Sequence, residues 1–280
     1  MLDRSGFPNT THKRKEVPLN GYNCLRPTKQ EDKRADITEY QQGIGSVMYG
    51  MVFTRPDIAF ATGKLSQYLK DLSEYHYIGL KGLLRYIGWS INDRIRYGPV
   101  TDDRKQATKG QLVVYSDADW AGDQTDRKST SGFVAMLYGG AISWGSRKQA
   151  SVSTSSTESE YIAMSTCAKQ SQWIAQILRD MKLPKYVGKD PYTVQIKGDN
   201  QGALALIRNP HLHERSKHID IQYYYIRDLE ARRKIDIGYI PTTDMVADGM
   251  TKPLERIAFR KFKRLMGICN TEPGGVIAER

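Results

Sequence analysis

Long apolar runs are scarce in this 280-residue sequence. The longest, Ile44 to Phe53, is broken by glycines and falls well short of the ~20 residues that span a bilayer. The N-terminus is polar and charged, so no secretory pattern is visible and no membrane partner is expected. Cysteine is scarce too. Cys24, Cys167 and Cys269 lie far apart and make no paired metal spacing, which suits a reducing compartment. His211, His213 and His218 lie close together, but without a Cys pair or a second His pair they read as a solvated loop leading into a helix, not as a zinc site. Acidic residues are outnumbered: 42 Lys+Arg face 31 Asp+Glu, a net charge of +11. That surplus favours a polyanionic partner, either nucleic acid or an anionic membrane surface. The hydrophobic share of 39% and charged share of 26% are ordinary for a soluble globular protein, and the length allows one large or two modest domains.

What is present falls into four stretches. Residues 1–37 mix Pro, Asn, Thr, Lys and Glu without periodicity and read as a linker or the edge of something longer. Residues 38–109 open with a helical pattern, in which Ile58, Leu65 and Leu69 make one apolar stripe and Ile78, Leu83, Leu84 and Ile87 a second. They close on a polar stretch from Asn92 that marks a domain boundary. From 110 to 270 the period changes. "QLVVYSD" (111–117) is a continuous β-rich run, as expected for a strand covered on both faces. "GFVAMLY" and "AISWG" follow, joined by Gly139-Gly140 as a two-residue hairpin. A long helix from Ser155 to Met181, a strand at 192–199, a short helix over 200–208, an amphipathic helix bearing Ile226 and Leu229, a strand at 235–240 and a last helix from Leu254 complete the series. Residues 271–280 are a tail. The order predicts an α/β fold: a mixed five-stranded sheet with flanking helices, preceded by a smaller helical segment.

Four carboxylates fall at element boundaries: Asp117 at the end of the first strand, Glu158 in the first turn of the long helix, Asp199 after the fourth strand and Asp248 after the fifth. Strand ends of such sheets are where ligand crevices open. Acids converging there repel one another unless cations lie between them, and two hard, oxygen-seeking Mg²⁺ ions would satisfy the cluster. Two ions ~3.5–4 Å apart suit hydrolysis of a phosphodiester. Each acid also has a plainer reading. Ser155 and Glu158 fit a capping box, Asp199-Asn200 can cap the next helix, Asp248 can favour a helix N-terminus, and Asp117 shares its loop with Asp119, Asp123 and Asp126. Glu160 lies about 200° around the helix from Glu158, so both cannot face one metal.

The stretches "YSDADWAGD", "DRKSTSGF", "SWGSRKQ", "STSSTESEYIA", "DNQGAL", "RSKHIDIQYYYIRDL" and "MVADGMTKPL" resemble, in order, the ribonuclease H part of copia-type LTR retrotransposon polyproteins. "GSVMYGMVFTRPDIAFATGKLSQYL" with "LKGLLRYI" resembles the region that joins polymerase to ribonuclease H in the same polyproteins. The resemblance implies a ribonuclease H-like fold and metal-dependent endonucleolytic hydrolysis of the RNA strand of an RNA–DNA hybrid during reverse transcription. It implies Asp117, Glu158, Asp199 and Asp248 as ligands of two Mg²⁺ or Mn²⁺ ions, with water as nucleophile. Asn200 and Gln201 resemble a polar pair facing the hybrid's minor groove, where 2′-hydroxyls are displayed, and Lys148 a phosphate contact. A polymerase-bearing Pol chain is the implied partner, in a cytoplasmic virus-like particle and in the nucleus. Tyr224 and Gln222 stand where relatives often carry His and Arg, and no His lies between Tyr239 and Asp248. No Tyr-x-Asp-Asp polymerase signature and no integrase or protease motif is present. The basic face of the last helix (Arg256, Arg260, Lys261, Lys263, Arg264) and Arg232-Arg233-Lys234 suit phosphate contacts. The alternative is a catalytically silent nucleic-acid-binding remnant, or a structural subunit of a reverse transcriptase.

Overall fold

A computed structural model describes residues 14–21, 26–98, 110–123, 125–188, 191–208 and 220–270. Cys24, the three clustered histidines, residues 1–13 of the N-terminal stretch and the whole C-terminal tail lie outside the described residues. No described helix is long and apolar enough to cross a membrane.

The chain divides into two compact units. The first comprises Met1–Ile95, Pro253–Arg264 and Ile268–Arg280. It holds helices α1 (Ile37–Phe53), α2 (Ala59–Ser66) and α3 (Glu74–Trp89). Tyr40, Ile44 and Val47 of α1, Leu65 of α2 and Leu80 and Leu83 of α3 form its buried apolar faces. Between α1 and α2 a buried ionic knot forms. Arg55 donates from Nε and Nη2 to the two Asp57 oxygens at 2.9 and 2.8 Å, and Tyr86 donates its hydroxyl to the same carboxylate. Arg55 also reaches the Ser90 carbonyl at 3.1 Å, which ties the start of α2 to the end of α3.

The sequence expectation ran the α/β segment unbroken from 110 to 270. Packing instead groups most of the last helix, α7 (Arg256–Leu265), and strand β7 (Ile268–Asn270) with the N-terminal helices. The reason is local. Phe259 and Phe262 are the buried residues of α7, and the Phe259 ring meets Tyr86 edge-on at 5.6 Å. β7 pairs antiparallel with β1 (Asp93–Ile95), a two-stranded ribbon the polar sequence around Asn92 had not suggested.

The second unit, Arg96–Lys252 with Leu265–Gly267, carries the five-stranded mixed sheet. Its strands are β2 (Val113–Asp119), β3 (Thr130–Leu137), β4 (Gly140–Lys148), β5 (Val194–Gly198) and β6 (Ile235–Tyr239), in the spatial order β4-β3-β2-β5-β6. β2, β3 and β4 form an antiparallel meander, while β5 and β6 run parallel to β2. Helices α4 (Ser156–Asp180), α5 (Gln201–Arg208) and α6 (Asp220–Ala231) make the connections. β2 is central, and Val113 to Ser116 are all buried, as the continuous apolar run anticipates. β6 lies at an edge and alternates, with Ile235 and Ile237 inward and Asp236 outward. Leu112 just before β2, with Val114, Val194, Ile196 and Ile237 of the sheet, packs in one core with Tyr161, Met164, Cys167 and Ala168 of α4.

One turn differs by a residue from expectation. The β3–β4 hairpin turns at Tyr138-Gly139, both at positive φ, with Leu137 paired to Gly140. Gly140 serves another purpose: a Cβ there would lie 2.6 Å from the Tyr97 ring.

The Arg55–Asp57 pair yields a stability prediction. Asp57→Ala strands a guanidinium whose side chain is only 11% exposed, and loss of one partner of a buried pair costs about 3–5 kcal/mol. The urea midpoint of the variant should fall accordingly. A midpoint within error of wild type would show that the knot adds nothing.

Candidate functional site

Asp117 lies near the end of β2, and Asp199 immediately follows β5. The two strands are hydrogen-bonded neighbours running in the same direction, so the carboxyl ends of both open on one side of the sheet. Glu160 enters from the first turns of α4, which packs against β2. One oxygen from each of Asp117, Glu160 and Asp199 lies within 4.8 Å of the others.

Glu158, the expected acid on α4, stands outside this group. Ser155 is the N-cap: its hydroxyl accepts from the Glu158 amide at 3.2 Å. The Glu158 carboxylate folds back to accept from the Thr154 amide and hydroxyl, both at 2.7 Å. The Ser155 half of the capping box forms, while Glu158 reaches one residue further back, to Thr154, which commits its side chain to the helix end. Glu160, about 200° further around the helix, therefore faces the strand ends. The Ser155-x-x-Glu158 signature was the signal that could have found this.

Several side chains fix the frame. Gln149, just past β4, donates through Nε2 to the Ser159 carbonyl and the Ser131 hydroxyl, both at 2.9 Å, tying the start of α4 to the sheet. Gly132 of β3 is the register partner of Asp117. A Cβ at Gly132 would lie 2.6 Å from Met250 and 2.8 Å from Thr251. The absence of a side chain there lets the 247–251 turn press against the sheet beside Asp117. From that turn Thr251 donates its hydroxyl to Asp117 Oδ2. Thr242 donates to Asp199 Oδ2 at 2.7 Å. Asp119, the alternative acid on β2, accepts from the Thr130 amide at 2.7 Å and so shapes its loop.

Asp248 lies in the same turn but is not one of the three converging acids; its Oδ1 is 2.6 Å from Lys252 Nζ. Asn200 accepts from the Ala203 amide at 2.9 Å and caps α5, while Gln201 is exposed. Lys148 is held between Asp123 (2.7 Å) and Asp126 (3.0 Å). In the first unit, Arg256 and Arg260 both pair with Glu16 and Lys263 pairs with Asp93, so part of the expected basic face is neutralised within the chain.

The electrostatics are those of acids with too little counter-charge. Burial, together with Asp248 and Asp199, pushes the Asp117 carboxyl up to about 7, against the Thr251 hydrogen bond. Burial and the charges of Asp117 and Asp199 push Glu160 up to about 9, although the Ala118 amide hydrogen-bonds it. Burial also raises Asp248, opposed by Lys252. Glu160 is 6% exposed, and its Oε2 has no hydrogen-bond partner among the described residues. Three carboxylates with one free buried oxygen form an all-oxygen donor set, which fits a hard divalent cation.

Comparison with known proteins places the chain. It is 38% identical over 247 residues to the retrovirus-related Pol polyprotein from transposon RE2 of Arabidopsis thaliana, covering 88% of this chain and 16% of that one. It is 35% identical over 273 residues to the corresponding polyprotein from transposon TNT 1-94 of Nicotiana tabacum, with 96% and 19% covered. The chain thus spans less than a fifth of the length of these relatives. Secreted RxLR effector protein 161 of Plasmopara viticola is 42% identical over 143 residues, with 51% of this chain and 96% of that one covered. No family model matches. Among solved structures the chain is similar to the ribonuclease H1 LC11 isolated from compost, at 16% identity and a TM-score of 0.38 over 51% of this chain and 93% of that one.

The raised carboxyls carry a pH signature. The folded state holds protons on Asp117 and Glu160 that an unfolded chain releases near pH 4. Their contribution is therefore fully present below about pH 4, and is lost as pH rises through about 7 for Asp117 and about 9 for Glu160. In a chelator, the melting temperature should fall between pH 5 and pH 9, and the fall should shrink in Asp117→Asn. A flat or rising profile would contradict the clustering.

Proposed function

Because the chain belongs to the retrovirus-related Pol polyproteins of copia-type transposons and carries a ribonuclease H-like domain, we propose that it hydrolyses the RNA strand of an RNA–DNA hybrid in a divalent-metal-dependent reaction. The observation that carries this reading is the convergence of Asp117, Glu160 and Asp199 within 4.8 Å at the ends of adjacent parallel strands. Mg²⁺ or Mn²⁺ held there, with Asp248 beside it, would supply Lewis acidity to the attacking water and the leaving oxygen.

The protein's own work is positional. β2 and β5 aim Asp117 and Asp199 from a rigid sheet, α4 brings Glu160 over them, and Thr251 and Thr242 orient the two aspartates through their Oδ2 atoms. Gln201, exposed at the start of α5 next to Asp199, is suited to contact the hybrid's minor groove, where ribose hydroxyls distinguish RNA from DNA. Asn200 holds that helix end. Lys148 would have to leave Asp123 and Asp126 to reach a phosphate. The cationic surplus of the chain supports affinity for the duplex backbone without sequence preference.

Cleavage of a labelled RNA–DNA hybrid in Mg²⁺ tests the proposal. Glu160→Gln and Asp199→Asn should each lower the rate by more than about 100-fold, since even residues that only support metal ligands cost 10–100-fold. Glu158→Ala should lower the melting temperature through loss of its hydrogen bonds from Thr154, about 0.5–1.5 kcal/mol each, yet leave the rate per folded molecule near wild type. An inactive wild type that still binds the hybrid would favour a silent binding module. Equal loss in Glu158→Ala and Glu160→Gln would sink the assignment of Glu160.

A further inference from the structure

Lys252 is a cation that the fold itself delivers to the acids. Its Nζ lies 2.6 Å from Asp248 Oδ1, on the stretch of chain just beyond the turn that Gly132 allows against the sheet. Its ammonium is drawn chiefly by Asp248 and more weakly by Asp117 and Asp199. Meanwhile the three converging oxygens belong to Asp117, Glu160 and Asp199, while Asp248 is turned toward the lysine. The cluster thus contains two differently furnished places: one lined by three carboxylates, and one at Asp248 where an ammonium already sits.

We propose that Lys252 is the internal counter-ion of a second divalent-cation position at Asp248, so that an ion entering there must displace the Lys252 ammonium from the Asp248 carboxylate. The inference rests on the reading of the acid cluster as a metal centre. Its logic is electrostatic. An ammonium and a dication repel strongly at contact distance in a half-buried setting, so they compete for one carboxylate. The triad position has no such competitor among the described residues and fills first. Lys252 therefore sets the gap between the two affinities and keeps Asp248 neutralised whenever the second position is empty.

Titration of the full chain with Mn²⁺, with free ion followed by electron paramagnetic resonance, reads both steps directly. Wild type should show a tighter and a weaker step. Lys252→Met should tighten the weaker step at least tenfold and move the tighter one by less than about threefold, whereas Lys252→Arg should stay near wild type. Asp248→Asn should abolish the weaker step, and Lys252→Met added to it should change nothing further. Lys252→Gln serves in place of the Met variant if circular dichroism shows that the latter is unfolded. An unchanged weaker step, or both steps tightened equally, overturns the proposal. The second of those outcomes would mean only a change in net charge. A wild type that binds no Mn²⁺, or binds it undiminished in Glu160→Gln, overturns the metal reading beneath it. Two-step binding indifferent to Lys252 overturns this inference alone.

Discussion

Like charges forced together inside a protein are the constraint around which this molecule is arranged. Two unit charges 4 Å apart repel by about 4 kcal/mol at an effective dielectric of 20, and a domain is held by only about 5–15 kcal/mol in total. Asp117, Glu160 and Asp199, with oxygens inside 4.8 Å and two of the three side chains buried, cannot all stay ionised without a counter-charge. The fold meets this in three ways: protons retained on Asp117 and Glu160, the Lys252 ammonium at Asp248, and a donor set suited to divalent cations.

Holding such a cluster requires a scaffold that does not relax. The central position of β2 supplies one wall, because its backbone is hydrogen-bonded on both sides, antiparallel to β3 and parallel to β5. The parallel neighbour brings Asp199, the first residue past its end, beside Asp117. Two glutamates in one helix then take opposite duties. Glu158 is held at the helix end by Thr154, while packing of Tyr161 and Met164 on the sheet leaves Glu160 aimed at the strand ends. Gly132 and Thr251 do the same for the C-terminal side, drawing a segment more than a hundred residues away in sequence against β2.

Much of this was legible in the residues. The change from helical to strand period near residue 110, the buried run of β2, the alternating edge strand β6 and the long helix beginning at Ser155 all follow from local pattern, and the structure has them. The hairpin was legible, but its turn lay one residue off, because Gly140 is needed for contact with Tyr97 and Tyr138 takes the left-handed conformation instead. The grouping of α7 and β7 with the first three helices was not legible. It depends on Phe259 meeting Tyr86 and on pairing with β1, contacts between residues some 170 positions apart.

The sequence by itself determined the order and kind of the elements of the five-stranded sheet and its helices, the basic balance of the chain and the family its motifs resemble, since each depends on neighbours in the chain or on composition. Its motifs pointed to Glu158 as the acid on α4, and helix geometry added only that Glu158 and Glu160 cannot both face one metal. Which of them joins Asp117 and Asp199, and that Thr251 donates to Asp117, only the tertiary structure decided. The rotation of a helix about its axis is set by its cap and its packing against the sheet, and the partner of a side chain on a turn is set by segments that arrive from elsewhere.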